Sequence, residues 1–402
     1  MQAPRKKTIE VKVWSVGIGW DNPIRIQSMT NTYTSDIDAT VAQIKELVIA
    51  WSELVRITVN DEEAAKAVPK IVAKLKSSNH YVPIIGDFHY NWHDLLNKYP
   101  AMAQSLSKFR VNPWNVGKWD KKDENYRQII NCAIKYDKPI RIGINGWSLD
   151  DDLLDINMKK NAKLKKPKST KEVFIDSIVE SAILSIEKAV EFWLPKNKIL
   201  VAAKVSDVQD VVTINEKLSK KTDCPLHLWL TEAGGWIKGI VSSSAVLWIL
   251  LQQWIGDTIR VSITPEPHHS RDREVEICKY LLQSMNFRFF KPMVTSCPGC
   301  GRTKSNRFQL LAKKISDEIN IRLPIRKTKY TNFEKTHIAV MGCVVNGIWE
   351  SKQADIGIFF PWTAENPIIP VYIDWKPHKT FTIEDDIFFE FMNIVENYLK
   401  NL

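Results

Sequence analysis

The stretch Leu54-Val-Arg-Ile-Thr-Val59, followed across Asn60 and Asp61 by Glu62-Glu-Ala-Ala-Lys-Ala-Val-Pro-Lys-Ile-Val-Ala-Lys-Leu-Lys76, decides the fold. Its first part is apolar and β-branched apart from one arginine, and its second carries apolar residues at helical spacing, so together they read as a strand and the helix after it. The unit recurs. Comparable runs stand at Ile26–Met29, Val82–Phe88, Lys108–Pro113, Pro139–Asn145, Ile199–Asp207, Pro225–Glu232 and Asp257–Thr264. Amphipathic segments such as Ala39–Ala50, Glu172–Phe192 and Ser242–Gln253 lie between them. Most starts are roughly 26 to 32 residues apart, the length of a βα repeat. Eight such units predict a closed (β/α)₈ TIM barrel; an open doubly wound sheet is the other arrangement the pattern allows.

In a parallel barrel the C-terminal strand ends converge on one mouth. Here they carry Arg56, Asp87 with His89, Arg110 with Asn112, Arg141 with Asn145, Lys204, Glu232, and Arg260 with Ser262. Five basic groups in one cavity are costly without an anion between them, and arginine's planar fork suits phosphate oxygens. The cavity is therefore expected to hold a multiply phosphorylated ligand. Local salt bridges at the rim are the alternative for any one residue.

The chain has 402 residues and a formal charge of +10, with 44% hydrophobic and 25% charged residues, a globular composition long enough for two domains. Seven lysines fall within Lys159–Lys171, which reads as a solvated insertion at about 150–171. No secretory signal or membrane span is visible, and a cytoplasmic protein is expected. Of six cysteines, three cluster late: Cys297 and Cys300 in a C-x₂-C pair, and Cys343 after the buried-strand pattern Ile338–Met341. No fourth Cys or His stands in a comparable loop beside Cys343, the nearest downstream histidine being His378, which favours an iron–sulfur centre with one open position over structural zinc or plain thiols.

Several long motifs then occur in order: Ile26-Gln-Ser-Met-Thr-Asn-Thr32, Val55-Arg-Ile-Thr-Val59, Gly86-Asp-Phe-His89, Leu230-Thr-Glu-Ala-Gly234, Gly256-Asp-Thr-Ile-Arg-Val-Ser262, Ser296-Cys-Pro-Gly-Cys-Gly-Arg-Thr303 and Met341-Gly-Cys-Val-Val-Asn-Gly347. Across nearly the whole chain the sequence resembles the 4-hydroxy-3-methylbut-2-enyl diphosphate synthases of the non-mevalonate isoprenoid pathway. The resemblance implies a diphosphate-binding barrel over residues 1–285 and, over 286–402, an α+β [4Fe–4S] domain similar to those of sulfite and nitrite reductases. It implies reductive ring opening and dehydroxylation of 2-C-methyl-D-erythritol 2,4-cyclodiphosphate by a homodimer, with electrons from reduced flavodoxin or ferredoxin. Cys297, Cys300, Cys343 and Glu350 match the cluster ligands. Arg56, Arg110, Arg141, Lys204, Arg260 and Ser262 match the diphosphate site, and Asp87, His89, Asn145, Glu232 and Asn346 the polar groups around the reacting carbons. Glu232 is the candidate for proton handling, with Glu350 catalytic through the metal. The competing classes are a zinc-stabilised basic nucleic-acid-binding protein and another phosphate-binding barrel enzyme; no nucleic acid or membrane partner is expected.

One departure is systematic. Trp14, Trp20, Trp51, Trp92, Trp114, Trp119, Trp147, Trp193, Trp229, Trp236, Trp248, Trp254, Trp349, Trp362 and Trp375 stand where the family pattern has glycine. They are all fifteen tryptophans, and glycine numbers only fifteen, about half its usual share. The expectation is that UGA codons, translated here as tryptophan, encode glycine. The alternative is a divergent, inactive relative with genuine tryptophans. Trp349, beside Glu350, is expected in a loop close to the cluster. Ile348, where the family usually has proline, is a milder departure.

Overall fold

The computed structural model describes residues 5–90, 92–115, 120–265, 270–303, 305–361, 368–382 and 386–402; Trp119 and Trp362 lie outside them. The chain divides into two compact units, one through Arg288 and one from Phe289.

The first unit opens with the hairpin β1 (Val11–Val13) and β2 (Val16–Ile18). Eight parallel strands follow: β3 (Arg25–Met29), β4 (Leu54–Val59), β5 (Ile84–Phe88), β6 (Lys108–Val111), β7 (Ile140–Asn145), β8 (Ile199–Lys204), β9 (His227–Leu228) and β10 (Thr258–Ile259). They pair in the order β8-β7-β6-β5-β4-β3-β10-β9. A parallel bridge from Val201 to Leu226 joins the two ends, so the sheet closes as a barrel. The hairpin's Val11, Val13 and Ile18 pack on Leu54, Ile85 and Leu200, which seals the end of the barrel where those strands begin. Strands β9 and β10 are only two residues long, far shorter than the runs Pro225–Glu232 and Asp257–Thr264. Both segments leave regular pairing early, so the site residues Glu232, Arg260 and Ser262 ride on irregular backbone.

Local chemistry starts the helices. Asp36, Asp61 and Asp207 follow barrel strands and accept hydrogen bonds from the first-turn amides of Ala39, Ala64 and Asp210, the usual use of a short carboxylate at a helix N-cap. The expected insertion begins as a helix, Asp151–Ala162, with no buried side chain, which carries Lys159 and Lys160, while Lys163, Lys165, Lys166 and Lys168 follow it outside regular structure. It runs into the Ser169–Glu172 capping box that starts the long helix Thr170–Glu191.

The second unit is a five-stranded mixed sheet in chain order: β11 (Met293–Ser296), β12 (His337–Met341), β13 (Ile356–Phe359), β14 (Ile368–Ile373) and β15 (Lys376–Thr382). Its first three strands are parallel and its last two antiparallel. The helices Arg307–Lys329 and Ile387–Leu399 bury Phe308, Ile315, Phe391 and Val395 in one core with β12, β13 and β14. The expected loop around Trp349 and Glu350 is instead a helix, Val344–Gln353. Gly347 explains part of this: a Cβ there would stand 2.4 Å from the Phe359 Cβ, so only glycine lets the helix lie this close to β13.

Candidate functional site

The charged cluster lies within the strands rather than at their ends: Arg56 is the third residue of β4, Asp87 the fourth of β5, Arg110 the third of β6 and Arg141 the second of β7. Arg56, Asp87, Arg110, Arg141 and Arg260 are all at most 5% exposed. Asp87 is the hub: its carboxylate lies 3.7 Å from Arg56 Nε and 3.3 Å from Arg110 Nη1. Arg56 also donates to Met29 Sδ. Arg110 Nη1 donates to His89 Nε2 at 2.9 Å, which makes that nitrogen the acceptor and leaves the imidazole proton on Nδ1. Burial, with repulsion from Arg110, Arg56 and Lys204, keeps His89 below its ordinary pKa despite Asp87. Gly143 on β7 makes room for this arrangement, since a Cβ there would meet Arg110 Nε at 2.9 Å.

The electrostatics are lopsided. Burial pushes the Asp87 carboxyl up, but Arg56 and Arg110, backed by His89 and Arg141, outweigh it and hold the pKa down to about 2. Burial pulls Arg56 down to about 9, and pulls Arg141, which also faces Arg56 and Arg110, well below the ordinary range. A guanidinium in a protein stays charged, so these shifts express the cost of packing cations around one carboxylate. Hydrogen bonding shows the same imbalance: Arg110 Nε, Arg141 Nε, Arg141 Nη1 and Arg260 Nε are buried without an acceptor. Buried polar groups are nearly always paired. An anion with several oxygens would pair these.

Lys204 ends β8, in register with Asn145 on β7, and its Nζ donates to Glu232 Oε1 at 3.0 Å. Glu232 is exposed and has φ +50°, a left-handed conformation uncommon outside Gly, Asn and Asp and often met at functional sites. Asn145 caps the short turn after β7 by accepting from Trp147 N–H. Ser262 is half-buried beside Ile263, whose N–H donates to Glu274, itself held by Arg271 at 2.7 Å. Two buried groups escaped the sequence reading. Lys108, fully buried, reaches Gln27 Oε1 at 3.4 Å, and His227 Nδ1 meets Thr258 Oγ1 at 2.6 Å. Both line the barrel interior. A lysine opening an apolar strand was the available signal for the first.

In the second unit Cys297 follows β11 and Cys343 follows β12, two adjacent parallel strands. Gly342 N–H donates to Cys297 Sγ at 3.3 Å, which brings the two cysteine segments together. Cys300 is exposed in a turn that Gly299 enters at φ +79° and Thr303 closes on the Cys300 carbonyl. Cys343 caps the helix Val344–Gln353, which carries exposed Asn346 on its first turn and half-buried Glu350 further along. As placed, no three Cys, His, Asp or Glu side chains among the described residues form a metal-holding group. The donor set still fits a cluster: all three thiols are free, and a backbone amide already addresses one sulfur.

The GcpE TIM-barrel domain matches residues 8–279, and the GcpE protein C-terminal domain matches 293–397. The chain belongs to the GcpE family. Membership makes it an oxidoreductase of the non-mevalonate isoprenoid route, in the family of the 4-hydroxy-3-methylbut-2-enyl diphosphate synthases. Solved structures resemble the GcpE chain more distantly. Dihydropteroate synthase from Xanthomonas albilineans in complex with 7,8-dihydropteroate is 12% identical, with 69% of this chain and 98% of that chain covered and a TM-score of 0.44. The 7,8-dihydropteroate synthase of Vibrio fischeri ES114 is 11% identical over 69% and 98%, with a TM-score of 0.47. Truncated 3-deoxy-D-arabino-heptulosonate 7-phosphate synthase from Thermotoga maritima is 15% identical over 70% and 91%, with a TM-score of 0.41. These likenesses bear on neither substrate nor mechanism. No helix among the described residues is long and apolar enough to cross a membrane.

Proposed function

We propose that this GcpE chain converts 2-C-methyl-D-erythritol 2,4-cyclodiphosphate to 4-hydroxy-3-methylbut-2-enyl diphosphate. One observation carries the reading: buried arginine N–H groups without acceptors around a single carboxylate at the barrel mouth. Arg56, Arg110, Arg141 and Arg260, with Lys204 at the rim, bind the diphosphate and offset its charge. Asp87 keeps Arg56 and Arg110 in place without neutralising the cavity. Neutral His89 accepts from Arg110 through Nε2 and so presents its Nδ1 proton. Ser262, Asn145 and Asn346 orient substrate oxygens. Glu232, held by Lys204, holds the proton that accompanies departure of the hydroxyl as water.

Cys297, Cys300, Cys343 and Glu350 are the proposed ligands of a [4Fe–4S] cluster, which supplies the two electrons that open the ring. Reduced flavodoxin or ferredoxin is the proposed donor, and a cytoplasmic homodimer the proposed assembly. The test is anaerobic incubation of the iron-reconstituted protein with the cyclodiphosphate and a chemical reductant. Formation of the linear diphosphate is expected; a brown, fully loaded protein that leaves the substrate intact defeats the proposal.

A further inference from the structure

At seven of the thirteen described tryptophans the backbone takes the conformation that glycine takes. Fourteen described non-glycine residues have positive φ, and seven are Trp14, Trp20, Trp51, Trp193, Trp236, Trp254 and Trp375. Five of the others are Asn or Asp, the residues that tolerate this region. Only four glycines adopt it. For a bulky side chain a positive φ is a genuine outlier, yet here tryptophan supplies more such positions than glycine does.

Five of these seven settings are ones that select glycine. Three helices of the barrel unit end with tryptophan at the position just past the cap. Trp51, Trp193 and Trp254 donate N–H to Val48, Val190 and Leu251 at 2.9 Å, while the next residues, Ser52, Leu194 and Ile255, donate to Leu47, Ala189 and Leu250. This is the Schellman hydrogen-bond pair, whose left-handed residue is usually glycine and sometimes asparagine. Three sister helices make the same pair with Asn79, Asp137 and Asn286 in that place. The fold thus asks for the same residue type six times and meets tryptophan at half of them.

The hairpins agree. Asp374 and Trp375 form the two-residue turn between β14 and β15, both at positive φ. That is the type I′ geometry for which Asp-Gly is a preferred pair. Trp14 is the first residue of the two-residue turn between β1 and β2, at φ +53°. Burial rewards the most exposed indoles little: Trp193 is 87% exposed, and Trp14 and Trp375, each 54% exposed, keep ring contacts with Tyr81 and Trp349.

We infer that these positions are glycine in the protein its source makes, because UGA in the gene is read there as glycine and is written here as tryptophan. The inference extends to tryptophans of unexceptional φ where the side chain obstructs. Trp229 is one: its buried indole N–H has no acceptor, and its ring centre lies 5.5 Å from Arg56 Cζ, 5.3 Å from Arg260 Cζ and 5.9 Å from Lys204 Nζ. With glycine there, the space between those three cations is free for the anion they call for.

The decisive experiment needs no assumption about the reaction. The codons at the seven positive-φ tryptophans are read from genomic DNA, and the native protein's peptides are weighed by mass spectrometry. UGA codons are expected, with every such peptide lighter by the difference between tryptophan and glycine. UGG at any of the seven positions, or native peptides at tryptophan mass, overturns the inference. As a conformational check on the recombinant chain, Trp51→Gly and Trp254→Gly should each raise the denaturation midpoint. A lower midpoint for both would show that the fold prefers the indole and would count equally against it.

Discussion

The barrel mouth and the cysteine-bearing strand ends both gather candidate site residues on or just after parallel strands, but in different states of completion. At the mouth, β4, β5 and β6 hold Arg56, Asp87 and Arg110 buried and in mutual contact. In the second unit Cys343 is buried, Cys297 half-buried and Cys300 exposed, without a shared donor group. Rigid neighbouring strands can store the cost of crowding like charges, whereas a loop such as Cys297–Cys300 closes on a metal only when the metal supplies the binding energy. The barrel site is preorganised and the proposed metal site is completed by its occupant.

The largest effect expected from that contrast is in the second unit. Cys343→Ala should abolish the brown chromophore and all turnover of the reconstituted protein. Circular dichroism of the barrel and its affinity for inorganic pyrophosphate should stay near those of the parent. An unsubstituted protein that binds zinc, remains colourless and releases nothing on thiol alkylation would remove the contrast altogether.

At the mouth the sign of the stability effect is reversed. Arg141 is 1% exposed, with two nitrogens lacking an acceptor, so Arg141→Met should raise stability in denaturant by about 1–3 kcal/mol. The same change should lower kcat/KM roughly a hundredfold, as loss of one donor to developing charge does. A variant both less stable and fully active would mean that Arg141 serves packing alone.

How much of this was legible in the sequence follows from the same physics. The period of strand and helix specified the barrel; that Arg56 and Arg141 stand inside their strands rather than at the ends was not legible, because the runs' apolar pattern does not mark where pairing stops. The early end of β9 and β10 was hidden, because Trp229, Leu230 and Val261 remain apolar after regular pairing stops. The helix Val344–Gln353 was hidden by Val344, Val345, Asn346 and Gly347, all poor helix formers. Packing of Gly347 against Phe359 overrides that local preference. Lys108 and His227 were hidden because burial of a polar side chain depends on what stands across the barrel.

A smaller effect separates attraction from crowding within the mouth. Asp87 has its pKa depressed in the folded protein to about 2, against an unfolded value near 3.9. Its contribution is therefore complete above about pH 4 and lost as pH falls toward about 2. Asp87→Asn should cost on the order of 2 kcal/mol at pH 7 by urea denaturation, and the gap to the parent should close across that acid window. A gap independent of pH would assign the loss to packing.

The smallest effect is the sharpest within one unit, where the helix ends supply their own control. Trp193 and Asn79 occupy the same place in the same hydrogen-bond pair, at φ +73° and +57°. The left-handed region costs roughly 1–2 kcal/mol for a residue with a Cβ, less for asparagine. Glycine regains that, minus a part lost to its greater freedom when unfolded. Trp193→Gly should thus stabilise by about 1 kcal/mol and Asn79→Gly by a few tenths. Because Trp193 is 87% exposed, loss of its side chain removes almost no buried surface, so the difference between the two substitutions isolates backbone strain. Equal effects at both sites would show that Trp193 pays no conformational penalty, and the strain reading of the tryptophan positions would fail at its cleanest point.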